Sequence, residues 1–196
     1  MNGKNPAPKE HTHPRNGLGI IETAAESEAL AASVDSNGGV YFVPALTGLG
    51  SPWWDPWARG TIVGLTRGSG RAQVARAALE AIAYQGVDAV RAIEEASPVR
   101  LPELRADGGA SANGWLMQFQ ADVLGAPVVV PEVSETTAFG AALMAAVGAG
   151  LVTEDAVPGL WRERARYEPR MSEAERQALL DEWHRAVERS RGWAGE

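Results

Sequence analysis

The chain of 196 residues contains no cysteine, which excludes disulfide scaffolds, thiolate metal sites and cysteine nucleophiles. Lysine is nearly absent too. Lys4 and Lys9 are the whole supply, and every later cation apart from histidine is arginine. A lysine-dependent phosphate loop of the G-x-x-x-x-G-K-[ST] kind therefore has no place in the body of the protein. The 18 Lys and Arg are outnumbered by 25 Asp and Glu, for a net charge of −7. No clustered cationic surface for nucleic acid or anionic membranes is expected from that balance. The longest uncharged apolar stretch, residues 138–152, falls short of the ~20 residues that span a bilayer, and the N-terminus has no secretory apolar core. A soluble, cytoplasmic protein is expected.

What is present suits a packed core, with 45% hydrophobic residues on a chain of ordinary single-domain length. Residues 1–16 read as a disordered leader by composition. A helix is expected over 22–34, a strand over 40–43 closed by Pro44, then a Gly/Pro/Trp loop over 46–60 and a second strand over 61–65. The clearest helix covers 71–96, where Ala75, Leu79, Ile82, Gly86, Val90 and Ile93 form one apolar stripe and Arg76 and Glu80 lie on the other face.

A short strand at 104–106 runs into Asp107-Gly108-Gly109. A helix carrying Leu116, Phe119, Val123 and Leu124 follows, ended by Gly125. Val128-Val129-Val130 reads as a strand buried on both faces. Thr136 or Thr137 is expected to cap a helix reaching 148–150. Ser172 and Glu175 form a capping box for a last helix that packs through Leu179, Leu180, Trp183 and Val187. The order β-α-β-α-β-α over 61–150 favours helices on a largely parallel sheet.

Gly68-Ser69-Gly70 lies between a strand and a helix, but Gln73 stands where a dinucleotide loop needs its third glycine. A simple connection is expected there. Asp107-Gly108-Gly109-Ala110-Ser111-Ala112-Asn113 supports two readings. Free helix N–H groups beside side-chain-free glycines let a flat ligand or a phosphate approach the main chain. Alternatively, Gly-Gly makes a tight turn and Asn113 is an N-cap.

The Trp53, Trp54 and Trp57 loop reads as packed or interfacial. His11 and His13 lie in the leader without a third ligand, and His184 is expected on the solvent side of the last helix. Asp55, Asp107 and Asp122 are the candidate carboxylates near loops, and none has a partner at a spacing that specifies chemistry.

Several stretches together resemble the C-terminal half of the FGGY carbohydrate kinases, and within them the glycerol kinases. These are the run Gly39-Val40-Tyr41-Phe42-Val43-Pro44-Ala45, then Thr47-Gly48-Leu49-Gly50-Ser51-Pro52-Trp53-Trp54-Asp55-Pro56, then Gly64-Leu65-Thr66-Arg67-Gly68, Asp107-Gly108-Gly109-Ala110 and Glu135-Thr136-Thr137-Ala138-Phe139-Gly140. The resemblance implies an α/β, incomplete actin-like or ribonuclease H-like ATPase domain over 17–170, followed by a C-terminal helix and tail over 171–196. It implies ATP or ADP as ligand, with Gly109 and Asn113 at the adenosine and Gly108 shaping the turn. It also implies that the polyol site, the catalytic carboxylate and the Mg²⁺ ligands belong to segments with no counterpart here. The chain alone is then expected to be inactive, meeting glycerol only if an N-terminal domain is supplied. A non-catalytic nucleotide-binding or regulatory fragment, or a kinase of another polyol or sugar, are the alternatives. Missing strands leave an unpaired sheet edge, so self-association is expected.

Overall fold

The computed structural model describes residues 19–97 and 100–195. The expected leader over 1–16, with His11 and His13, lies outside the described residues. The first helix, α1, spans Glu26–Ala32 and is shorter than the expected 22–34. Glu26 folds back so that its carboxylate accepts from the Thr23 N–H at 2.8 Å and the Thr23 hydroxyl at 3.1 Å, and this turn starts the helix late. Strands β1 (Tyr41–Val43) and β2 (Thr61–Val63) pair antiparallel, with Phe42 opposite Ile62. Gly64 ends β2 at φ +81°, and any Cβ there would collide with the Gly39 carbonyl oxygen, so only glycine allows this close crossing.

Helix α2 spans Arg71–Ala96, as expected. Its entry confirms the simple connection: the Gln73 side chain accepts from the Gly70 N–H at 2.9 Å, so the residue in place of a third glycine serves as a cap. The expected single stripe is corrected. Ile82 and Ile93 are exposed, while Glu80, Tyr84, Val87 and Asp88 are buried. Helix α2 packs against α1, β1 and the next helix at once, so most of its circumference is interior and one stripe cannot describe it. Glu80, assigned to the outer face, is only 3% exposed.

Strand β3 (Leu104–Arg105) leads through a 3₁₀ turn, Gly109–Ala112, into α3 (Gly114–Leu124). Gly125 ends α3 in the left-handed conformation at φ +73°, as its position predicts. Helices α2 and α3 approach closely at Gly86, where a Cβ would sit 2.9 Å from the Gln120 side chain. Gln120 in turn donates to the Ala83 carbonyl at 3.2 Å.

Strand β4 (Val128–Pro131) is buried throughout and pairs parallel with β3, Leu104 opposite Val128. Helix α4 (Thr136–Gly148) follows; Thr136 is its first residue rather than its cap, and Glu135 precedes it with no side-chain cap. A second 3₁₀ segment, Glu154–Leu160, and strand β5 (Glu163–Tyr167) were not anticipated. Strand β5 pairs antiparallel with β4, so the three-stranded sheet has the order β3-β4-β5 and β1-β2 stands apart. The largely parallel sheet is therefore corrected: β3-β4 is the one parallel pair among the described strands. The alternating charge of Glu163-Arg164-Ala165-Arg166 hides the strand signal of β5, which forms because β4 offers it an edge.

The last helix, α5 (Glu173–Ser190), starts at the expected capping box, with Ser172 accepting from the Glu175 N–H at 3.3 Å and Glu175 accepting from the Ser172 N–H at 3.1 Å. It seals the core with Trp183, fully buried, stacked on Tyr84 at 5.3 Å between ring centres. Phe119 meets Tyr84 edge-on at 5.6 Å. Burying each such aromatic contributes up to ~3 kcal/mol. Among the described residues no helix is long and apolar enough to cross a membrane.

Candidate functional site

The β3-to-α3 turn is built by two glycines with different tasks. Gly108 adopts φ +75° and ψ −176°, a conformation essentially reserved for glycine. Its N–H donates to the Ser134 carbonyl at 2.9 Å, and its own carbonyl accepts from the buried Ser111 hydroxyl at 2.8 Å. Thus anchored, Gly108 turns Gly109 outward. Gly109 and Ala110 are exposed, and nothing lies within 4 Å of where a Cβ on Gly109 would stand. The backbone there is open to a flat ligand.

Asn113 caps α3: its Oδ1 accepts from the Leu116 N–H at 2.9 Å. Its Nδ2 hydrogens have no partner among the described residues. The cap uses one atom of the amide and leaves its donors unused, so the two readings of this motif are compatible.

Two of the N–H groups expected to be free at the head of α3 are occupied. Asn113 takes the Leu116 N–H, and the Glu28 carboxylate, arriving from α1, accepts from the Trp115 N–H at 3.1 Å. A resident carboxylate at a helix N-terminus satisfies the dipole and repels an incoming phosphate. Glu28 is the participant that sequence reading missed, since nothing in a linear sequence links it to a residue 87 positions away.

Gly109 and Asn113 line a groove of about 800 Å³, within the usual range for small-molecule sites. Ile20, Phe42, Ile62 and Ile82 continue its walls, so it lies between the β1-β2 ladder and the loop leaving β3. The lining is predominantly apolar, as a purine ring requires.

The other candidates serve the scaffold. Asp55 Oδ1 accepts from the Trp57 and Ala58 N–H groups at 2.8 and 3.0 Å, and Oδ2 from the Gly192 N–H at 3.0 Å. Burial pushes its pKa upward, but these N–H groups and Arg191 outweigh it and hold the carboxyl below its ordinary value. Asp122 Oδ1 accepts from Gln118 at 3.1 Å and from the Arg170 N–H at 2.7 Å. Asp107 is exposed beside the glycine turn. The Trp loop is packed through Trp53 and pinned by Asp55, while Trp54 remains 75% exposed.

His184 keeps 34% of its side chain exposed but does not stand alone. Its Nε2 lies 2.8 Å from buried Asp88 Oδ1, whose other oxygen accepts from Trp183 Nε1 at 2.8 Å and Trp53 Nε1 at 3.4 Å. Asp88 thus ties the Trp loop and α5 to α2. A second buried carboxylate, Glu80, accepts from Arg76 Nε and Asn37 Nδ2, each at 2.8 Å. Burial pushes its pKa up against the pull of these partners. Arg76 also donates to the Val34 carbonyl and stacks over Trp115 at 5.1 Å, a paired and fully occupied cluster. Among the described residues no three histidines or carboxylates gather to hold a metal ion.

Comparison with known proteins supplies the wider frame. Residues 6–149 match the FGGY family of carbohydrate kinases, C-terminal domain. The glycerol kinase of Dechloromonas aromatica is 58% identical over 181 residues, covering 92% of this chain and 36% of that protein. The glycerol kinase of Citrifermentans bemidjiense is 54% identical, with 91% and 36% covered. Among solved structures, Plasmodium falciparum glycerol kinase with ADP superposes with a TM-score of 0.79 at 32% identity, over 87% of this chain and 34% of that one. A ligand-bound xylulose kinase from Lactobacillus acidophilus superposes with a TM-score of 0.75 at 25% identity, over 87% of this chain and 35% of that one. The chain thus spans little more than a third of the length of the curated relatives it matches.

Proposed function

Since the chain belongs to the FGGY family of carbohydrate kinases, through its C-terminal domain, with the α/β, actin-like fold that membership implies, we propose that it is the adenosine-holding part of a glycerol kinase-like enzyme. The complete enzyme transfers the γ-phosphate of ATP to glycerol, giving glycerol 3-phosphate. The nucleotide-binding unit is residues 17–170, with 171–196 forming a helix and tail. Gly109 offers open backbone to the adenosine, Gly108 holds the turn, and Asn113 donates from Nδ2 to the ligand.

The observation carrying this reading is the pairing of Gly109's open backbone with Asn113's unpartnered amide hydrogens at the mouth of an apolar groove. Glu28 at the head of α3 directs the phosphates elsewhere, which suits a site for the nucleoside end. Phosphoryl transfer requires an aligned acceptor hydroxyl, an orienting carboxylate and Mg²⁺ on the phosphates. Asp55 and Asp122 are committed to loop hydrogen bonds, so we assign no Mg²⁺ ligand and no catalytic residue to this chain. It is inactive alone, acts in the cytoplasm, and meets glycerol only together with an N-terminal domain. Left without one, it self-associates weakly through its unpaired edge.

Asn113→Asp tests the site. Aspartate keeps the capping oxygen but loses the two amide donors and adds a negative charge. The expected outcome is unchanged melting with ADP affinity reduced at least ~10-fold, matching the ~1.5 kcal/mol or more that a hydrogen bond to a ligand group contributes. Equal ADP affinity in both proteins would falsify the assignment.

A further inference from the structure

A second cleft, of about 240 Å³, opens where α2 and α3 meet the segment entering α5. It shares no lining residue with the groove at Gly109 and Asn113. Phe119, Met171 and Leu179 give it apolar walls, while Glu80, Gln118 and Asp122 bring polar groups to it. Glu80 already has its cation, Arg76 Nε at 2.8 Å. Asp122 has none: its partners among the described residues are the Gln118 amide at 3.1 Å and the Arg170 backbone N–H at 2.7 Å, both on Oδ1.

The Gln118 amide is oriented by its surroundings. Its Nε2 donates to Asp122 Oδ1 and to the Glu168 carbonyl at 2.9 Å. Both partners are acceptors, so the nitrogen must face them. Asp122 Oδ2 and Gln118 Oε1 are left without a partner among the described residues. The two residues lie four apart on one face of α3. The same bonds tie the chain at 168–170 to α3, which seats Met171 at the rim of the cleft.

We propose that this cleft is a binding site for a primary ammonium ion carrying a short apolar chain. Two of the ammonium's three donors go to Asp122 Oδ2 and Gln118 Oε1, and its charge pairs with a carboxylate that lacks a cation. The chain lies along Phe119, Met171 and Leu179. At ~30 Å³ for each water-sized unit, the cleft admits roughly eight such units, which limits the chain to a few carbons. An anion is a poorer occupant, since Glu80 and Asp122 face it with only the paired Arg76 between them.

The probe is isoamylamine, titrated by calorimetry into the full chain at neutral pH, with isoamyl alcohol, isovalerate and ammonium chloride as comparisons. The expected result is saturable 1:1 binding of the amine, at least ~10-fold tighter than any of the three, and a melting temperature that rises with amine concentration. Asp122→Asn keeps an oxygen for Gln118 and the Arg170 N–H but removes the charge. It is expected to weaken the amine at least ~10-fold while the uncharged alcohol binds parent and variant alike, a pattern that damage to the fold does not give. The proposal is overturned if the amine does not saturate, if the alcohol or isovalerate binds as tightly, or if affinity survives Asp122→Asn. Should the variant not fold, amine against alcohol in the parent chain decides alone. ADP is absent throughout, so this site and the nucleotide reading stand or fall separately.

Discussion

Two faces of α2 border regions built to opposite standards. On one side, α2, α3 and α5 close on Tyr84, Phe119 and Trp183, and each buried polar atom of Asp88 and Gln120 has a partner. On the other, the groove from Ile20 to Ile82 stays open, and away from α2 the helix α4 buries nothing. The contrast runs against composition. Helix α5 is rich in Glu and Arg yet contributes a fully buried tryptophan, while the nearly all-apolar α4 is uncovered. An amphipathic helix announces by its period which face meets its own domain. A helix apolar all round carries no such mark, and here α4 buries none of its residues.

The largest effect that tests this contrast is at Trp183. Trp183→Ala is expected to cost about 3–5 kcal/mol through lost transfer and a cavity beside Tyr84, measured by urea unfolding. A loss under 1 kcal/mol would mean that the closed side is not the stabilising one.

The next effect is acid-dependent. Asp55, held below its ordinary pKa, contributes stability that is fully present above the unfolded value, about 3.9, and is lost as pH falls through the folded value. Asp55→Asn is therefore expected to melt below the parent protein at pH 7, with the two curves converging in acid. A constant gap would show that the loop is held by other bonds.

The smallest effect is on the open side. Met144→Gln is expected to change stability by no more than ~0.5 kcal/mol and to reduce binding of apolar dyes. A cost like that of Trp183→Ala would mean that α4 is already packed.

Much of this was legible in the sequence, for physical reasons that differ by element. Helix α2 and the Ser172–Glu175 capping box are local signals, and the structure reproduces both. Gly125, Gly108 and Asn113 were also readable, since a left-handed C-cap and a Gly-Gly-Asn turn are written in neighbouring residues. What sequence could not give was contact at a distance. Glu80 and Asp88 look like surface charges on a helix until Asn37, Trp183 and His184 arrive from remote segments. Strand β5 exists only because β4 has an edge to offer it. Glu28 reaches the head of α3 from α1 and takes the Trp115 N–H that the sequence alone leaves free.

The central claim is that this chain holds the nucleoside end of ATP on its own, without the groups that perform transfer. A calorimetric titration of the purified chain with ADP tests it most directly. The account predicts saturable 1:1 binding that weakens at least ~10-fold in Asn113→Asp. A cooperatively folded chain that takes up no ADP, or that binds it equally well with aspartate at position 113, would contradict it.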